Sequence, residues 1–324
     1  MGSGYSQEHY DRIALDLYET ASGRTCILPD VGLDESVLKY SGLNSSAALQ
    51  VYSNELVNSV PGFVERLGSS LGSLNSIPNA VGLGALVISL IMEICMKSST
   101  EPTEDSYSMF KRVFGEEKAS SVQNRMSESV KRYRAFMNNN QRLWKELDRL
   151  ELQLSQDLTN LINSLLHDNQ MSSRGFKIWV NGAAFHLQMM IHEAWLKDQA
   201  GERSSDNVDS IKITIDMYLD DLDNLLKKYK TYHTSIASIH YFSYYGPGSV
   251  AIDSTCNLEN TETKCKIKIL SDGGCSYSDV LQGYVKNVFS KHEPITSLRN
   301  YFSNIKNNID SHINQHVFPL KLTT

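Results

Sequence analysis

Proline is scarce in this chain, seven in 324 residues, and neither proline nor glycine occurs between Gly115 and Gly175. Both residues interrupt helices, so their absence favours long helices through that tract. Uncompensated positive charge is also missing. The 31 Lys and Arg face 37 Asp and Glu, a formal net charge of -6, which argues against general nucleic-acid binding, since phosphates call for clustered cations. Cysteine is sparse and odd in number, five in all, which does not read as a disulfide scaffold for so long a chain. The first residues, MGSGYSQEHYDRIALDLYE, lack an apolar core followed by a small-residue cleavage site. A cytoplasmic or membrane-peripheral location is therefore expected, with non-classical secretion as the alternative. No G-x-S-x-G, phosphate-binding glycine loop or catalytic carboxylate pair stands out, so neither enzymatic activity nor a cofactor is expected.

What is present is one strongly apolar stretch, Ile77 to Met96, IPNAVGLGALVISLIMEICM, with no Lys or Arg and a single acid, Glu93. Twenty helical residues rise about 30 Å, the hydrocarbon thickness of a bilayer. Ile77, Val81, Gly82, Leu83, Gly84, Leu86, Val87, Ile88, Leu90 and Ile91 are the residues expected to insert if the helix leaves the protein. The other reading is a buried central helix, which the small residues Gly82, Gly84, Ala85 and Ser89 serve equally well by permitting close contact. Met1-Gly2 with Ser6 matches the N-myristoylation pattern at Gly2, although a start rich in Gly and Ser explains the same letters. One chain of that kind binds membranes only marginally. Asn44-Ser45-Ser46 is a glycosylation sequon.

The expected fold is mainly α: an elongated long-helix bundle around an apolar central helix, with a small C-terminal α+β cap containing a β-hairpin. Residues 1–43 form an N-terminal arm with a short helix from Tyr10 to Tyr18, 44–240 the bundle, and 241–324 the cap with its hairpin and two helices. Apolar residues recur at Val122, Met126, Val130, Tyr133 and Met137, then at Leu143, Leu147, Leu150, Leu154, Leu158, Leu161 and Leu165. Steps of three and four mark one helical stripe. Asn138-Asn139-Asn140 interrupts it, either as a turn or as a polar notch, and a continuous kinked helix from about 117 to 168 is favoured. Ile178 to Leu196 is a second candidate for the bundle centre. Val208, Ile211, Ile215, Tyr218, Leu222, Leu225, Tyr229, Tyr232, Ile236 and Ile239 form a coiled-coil-like seam. The segment 241–248 is expected to turn, with strands at 249–258 and 264–270 and helices near 278–290 and 295–315.

If the hairpin turns near Asn260 or Thr261, Cys256 and Cys265 come opposite each other and pair in an oxidising compartment; otherwise they remain thiols. Their spacing to Cys275 fits no zinc pattern, and no metal is expected. His312 and His316 lie four apart on a helix, yet without the following Glu of a metalloprotease they read as surface residues. His186 and His192 point to different helix faces and read as satisfied core histidines. Tyr232, Tyr241, Phe242, Tyr244 and Tyr245 form an aromatic cluster suited to lipid headgroups, to a choline cation, or to packing the junction of helix and cap. The basic run Lys111, Arg112, Lys118, Arg125, Lys131, Arg132 and Arg134 is diluted by Glu116, Glu117 and Glu128 and reads as a solvated helix face.

This layout, over roughly residues 44–239, resembles α-helical pore-forming toxins, the haemolysin E-like proteins and the helical domain of insecticidal crystal toxins. The resemblance rests on the apolar stretch Ile77 to Met96 and the long seams, and no motif carries residues across. It implies a pore-forming protein whose partner is a lipid bilayer, which releases its apolar helix on contact and assembles as a homo-oligomer on membranes. The rival expectation is a non-lytic helical scaffold whose apolar helix stays buried.

Overall fold

The computed structural model describes residues 5–40, 76–77, 109–115, 120–136, 139–201, 205–245, 251–271, 273, 275, 278–314 and 320–321. It is mainly α. The helices are α1 (Gln7–Ser22), α2 (Glu35–Tyr40), α3 (Met109–Phe114), α4 (Ser121–Phe136), α5 (Asn140–Leu166), α6 (Ser173–Gln199), α7 (Ser205–Ile236), α8 (Ser278–Lys291), α9 (Glu293–Thr296), α10 (Leu298–Asn307) and α11 (Ile309–Asn314). The strands are β1 (Ser76–Ile77), β2 (Ala237–Tyr245), β3 (Ala251–Asn260), β4 (Cys265–Leu270) and β5 (Leu320–Lys321). Two compact units interleave along the chain. One gathers 1–32, 165–176 and 223–298; the other gathers 33–164, 177–222 and 299–324.

In the second unit, pairs of side chains set the helix directions. Arg125 meets Asp157 at 3.0 Å while Arg132 approaches Glu146, so α4 and α5 are antiparallel. Glu151 with His186 and Asp148 with Lys197 make α5 and α6 antiparallel. Asp216 with Lys306, and Tyr218 against Phe302, do the same for α7 and α10. From Lys177 to Met189 every residue of α6 is buried, which makes this helix the centre of its unit, as its composition suggests. A Cβ at Gly182 would lie 2.8 Å from Leu158 Cδ2 and 2.9 Å from Val122 Cγ1. The missing side chain is what lets α6 seat against α4 and α5.

Two elements differ from the sequence reading. The tract 117–168 is not one kinked helix. Asn139 donates its N–H to the Phe136 carbonyl at 2.8 Å, accepts from Leu143 N–H at 2.8 Å, and through its side-chain oxygen accepts from Arg142 N–H at 3.0 Å. A side chain that satisfies orphan amides caps a new helix more favourably than it continues an old one. The α5 stripe also drifts at its end, so that Ile162 rather than Leu161 is buried.

In the first unit Ser6 caps α1 by accepting from His9 N–H at 3.3 Å. Tyr10, Ile13, Ala14, Leu17, Tyr18 and Ala21 then form one buried stripe that packs on α8 and β4. The sheet is antiparallel in the order β2-β3-β4. The chain enters it earlier than expected: α7 stops at Ile236, whose carbonyl accepts the N–H and hydroxyl of Thr261 at 2.8 and 3.1 Å. Residues 237–245 continue as a strand instead of turning. Their alternation of Ile239, Tyr241 and Ser243 with Ser238, His240 and Phe242 suits a pleat with two different faces.

Candidate interaction surface

The sheet sorts its side chains strictly by face. Ile239 lies opposite Leu258 and Tyr241 opposite Cys256, with Ile267 and Ile269 continuing those two rows on β4. This inner face is anchored by Asn260, which donates to the Ile27 carbonyl at 2.9 Å. It also holds a hydroxyl chain: Ser243 donates to the Tyr241 oxygen at 2.7 Å and meets the Ser254 hydroxyl at 2.9 Å. On the outer face Phe242, Thr255 and Leu270 form one cross-strand row. Thr255 is buried, while Phe242 is 47% and Leu270 76% exposed. The next row on this face is His240, Asn257 and Lys268, and the one beyond carries the Glu259–Lys266 pair at 3.0 Å.

The five aromatics grouped by sequence therefore do not form one patch. Tyr241 is on the inner face and Phe242 on the outer face; Tyr244 and Tyr245 continue β2, with a register shift between them. Tyr232 stays on α7, stacked on Tyr229, and burial together with the Glu262 carboxylate pushes its hydroxyl pKa up. Glu262 sits in the β3–β4 turn, accepts from Ser173 N–H at 2.9 Å and from its hydroxyl at 2.6 Å, and so caps α6 with negative charge. Tyr229 joins that hydroxyl at 2.9 Å. Beneath it His233 is enclosed by Tyr229, Tyr284 and Phe289. Burial and the nearby His292 lower its pKa to about 4 against the pull of Glu262.

Several buried polar groups of the second unit satisfy one another. Arg112 clamps Asp34 through Nε at 2.6 Å and Nη2 at 2.8 Å, while Asp34 N–H donates to Asn181 Oδ1 at 2.7 Å. Arg112 thus leaves the solvated basic face proposed from its sequence neighbours. His186 spans Glu151 at 2.7 Å and Tyr218 at 3.0 Å, which fits its reading as a satisfied core histidine. Tyr133 meets His192 at 3.4 Å. Glu193 pairs with Lys197, yet burial still pushes its carboxyl up to about 7. His312 is buried rather than on the surface, and His316 lies outside the described residues. Among the described residues no group of three His, Cys, Asp or Glu could hold a metal ion.

The cysteines pair differently from the expectation. Cys26 bonds Cys265, and Cys256 bonds Cys275. The turn occupies 261–264, which places Cys265 opposite Asn260 and Cys256 opposite Ile269; a cross-strand Cys256–Cys265 bond is thereby excluded by register. Local spacing carries no sign of the Cys26–Cys265 pair, because Cys26 arrives from 239 residues away.

The pore-forming expectation is corrected. Among the described residues no helix is long and apolar enough to cross a membrane; even α6 carries Asn181, His186, Gln188, His192 and Glu193 along its buried length. Ile77 belongs to the short strand β1, paired with Leu320. Val81, Gly82, Leu83, Gly84, Leu86, Val87, Ile88, Leu90 and Ile91 lie outside the described residues, as does the lipidation candidate Gly2. With the inserting helix goes the support for a bilayer partner, for a ring on membranes and for a lipid-anchored protein. No family model, curated protein or solved structure matches the chain. The likeness to helical toxins ends at a mainly α helical-bundle architecture.

Proposed function

We propose that this chain is a non-lytic helical interaction protein that presents the outer face of its small sheet to an apolar segment of a partner polypeptide. The observation that carries this reading is the shared exposure of Phe242 and Leu270 across buried Thr255. Large apolar side chains held in solvent on one face of a sheet gain free energy when a partner covers them. Two disulfides frame the same sheet, so the surface is preorganised and little ordering entropy opposes binding. The same bonds support work in a compartment where thiols oxidise, which carries forward the secretion half of the localisation expectation.

The test compares the oxidised full chain with the variant Phe242→Asp/Leu270→Asp as bait in extracts of its source, followed by titration of each candidate partner in purified form. A partner bound by the native chain and weakened at least about tenfold by the variant supports the reading, since losing two buried apolar contacts is worth more than 1.4 kcal/mol. Equal binding by both chains overturns it.

A further inference from the structure

Cys26 and Cys265 are each held in place by bonds other than the disulfide. Beyond α1 the chain makes one further turn, in which the N–H groups of Ile27 and Leu28 donate to the Arg24 carbonyl at 2.9 and 3.0 Å and both side chains are buried. Cys26 is thus fixed from its own side. The 261–264 turn is fixed independently: Asn260 Oδ1 accepts from the N–H groups of Glu262 and Thr263 at 2.9 and 3.2 Å, and Thr261 N–H donates to the Ile236 carbonyl at 2.8 Å. Two further bonds clamp the halves together. Asn260 Nδ2 donates to the Ile27 carbonyl at 2.9 Å, and the Thr263 hydroxyl donates to the Cys26 carbonyl at 2.5 Å. An S–S bond between segments already clamped can open without carrying the backbone with it.

The two disulfides also differ in access. Cys26 is exposed and Cys265 half-buried, whereas Cys256 and Cys275 are fully buried. A thiolate attacks the sulfur it can reach, and exchange is faster where the departing sulfur is stabilised as a thiolate. Lys264 precedes Cys265 in the chain and favours that charge, while the acid of the turn, Glu262, is bonded to Ser173. We propose that Cys26–Cys265 is a thiol–disulfide exchange site, which a small thiol opens at Cys26 and which recloses in place. In the forward step the incoming thiolate bonds to Cys26 Sγ, the Cys26–Cys265 bond breaks, and its electron pair leaves on Cys265 Sγ, which water protonates. The incoming sulfur is oxidised and Cys265 reduced, so no further oxidant enters. In the return step the Cys265 thiolate attacks Cys26 Sγ and expels the small thiol. With the two Cα atoms clamped 5.7 Å apart, that step is intramolecular and outruns attack by a second thiol. Phe242 and Leu270 take no part, so the exchange site is independent of the partner-binding reading.

The test treats the oxidised full chain, after alkylation of any free thiol, with reduced glutathione, and traps the opened bond by rapid alkylation for mass spectrometry. Glutathione is expected on Cys26 and the alkyl label on Cys265, with the opposite arrangement at least about tenfold rarer and Cys256–Cys275 intact. Dithiothreitol, as a dithiol, is expected to give the Cys26 and Cys265 thiols in a chain whose circular dichroism is unchanged. Oxidised glutathione then restores this pair and no other. Thr263→Val removes the hydroxyl bond to the Cys26 carbonyl and is expected to slow reclosure about tenfold, while an intact Cys256–Cys275 bond and native circular dichroism show the variant folded. A bond that resists glutathione, glutathione shared equally between the two sulfurs, or loss of the fold on opening overturns the proposal. Reclosure of Thr263→Val at the native rate overturns it as well.

Discussion

His233 illustrates what burial does to a single titratable group. Its imidazole is held neutral among Tyr229, Tyr284 and Phe289, with His292 opposing a proton and Glu262 favouring one. The folded pKa of about 4 lies below the ordinary 6.5, so the neutral ring contributes stability that is fully present above pH 6.5 and is lost as pH falls through 4. The lost amount is about 3 kcal/mol, from 1.36 kcal/mol per unit of difference. His233→Phe keeps the ring and removes the proton site. Chemical denaturation at pH 7 and pH 4 is expected to show a markedly smaller acid loss in this variant; an unchanged loss would assign the acid sensitivity to other groups. In sequence this histidine falls between the seam positions Tyr232 and Ile236 and carries no signal of its own, since nothing local reveals that three aromatic rings converge on it.

Helices are the scale at which periodicity succeeds and contact distance escapes it. The stripe Tyr10, Ile13, Ala14, Leu17, Tyr18 and Ala21 is legible in the residues, yet the partner of Ala14 is Gly283 on α8. A Cβ placed at Gly283 would come within 2.8 Å of the Ala14 Cβ, a short rigid atom that cannot swing aside. Gly283→Ala gains up to ~1 kcal/mol of helix propensity but loses about 1–3 kcal/mol to overpacking. The expected result is net destabilisation in the native background and stabilisation in an Ala14→Gly background. Urea unfolding of the four chains decides it, and an equal effect in both backgrounds would show that the two positions do not couple. The same limit explains the break at Asn139: three asparagines signal a polar interruption, but only the bonded amides show that it is a cap and not a notch.

At the scale of the molecule, covalent links join parts that the chain separates widely. Cys26–Cys265 closes a separation of 239 residues and Cys256–Cys275 one of 19. Cys256 and Cys275 are fully buried, whereas Cys26 is exposed, and thiol exchange requires access to sulfur. Limited reduction followed by alkylation and mass spectrometry is expected to label Cys26 and Cys265 first; prior labelling of Cys256 would contradict this. Removing the long link by Cys26→Ser/Cys265→Ser is expected to cost about 2–5 kcal/mol, because the unfolded chain regains the freedom of a very long loop.

The sequence by itself determined the long helical tracts from 121 to 236 and their buried stripes, though not the break at Asn139, together with the central standing of Ile178 to Leu196 and the presence of a late β-hairpin. These follow from the period of apolar residues and from the near absence of Gly and Pro, both local properties of the chain. Tertiary structure alone decided the third strand at 237–245, the disulfide partners and the division of Tyr241 and Phe242 between two faces. Each depends on register or on an approach between distant residues: a one-residue change in the turn at 261–264 would shift β4 against β3, and Cys265 with it, while leaving the local pattern almost the same.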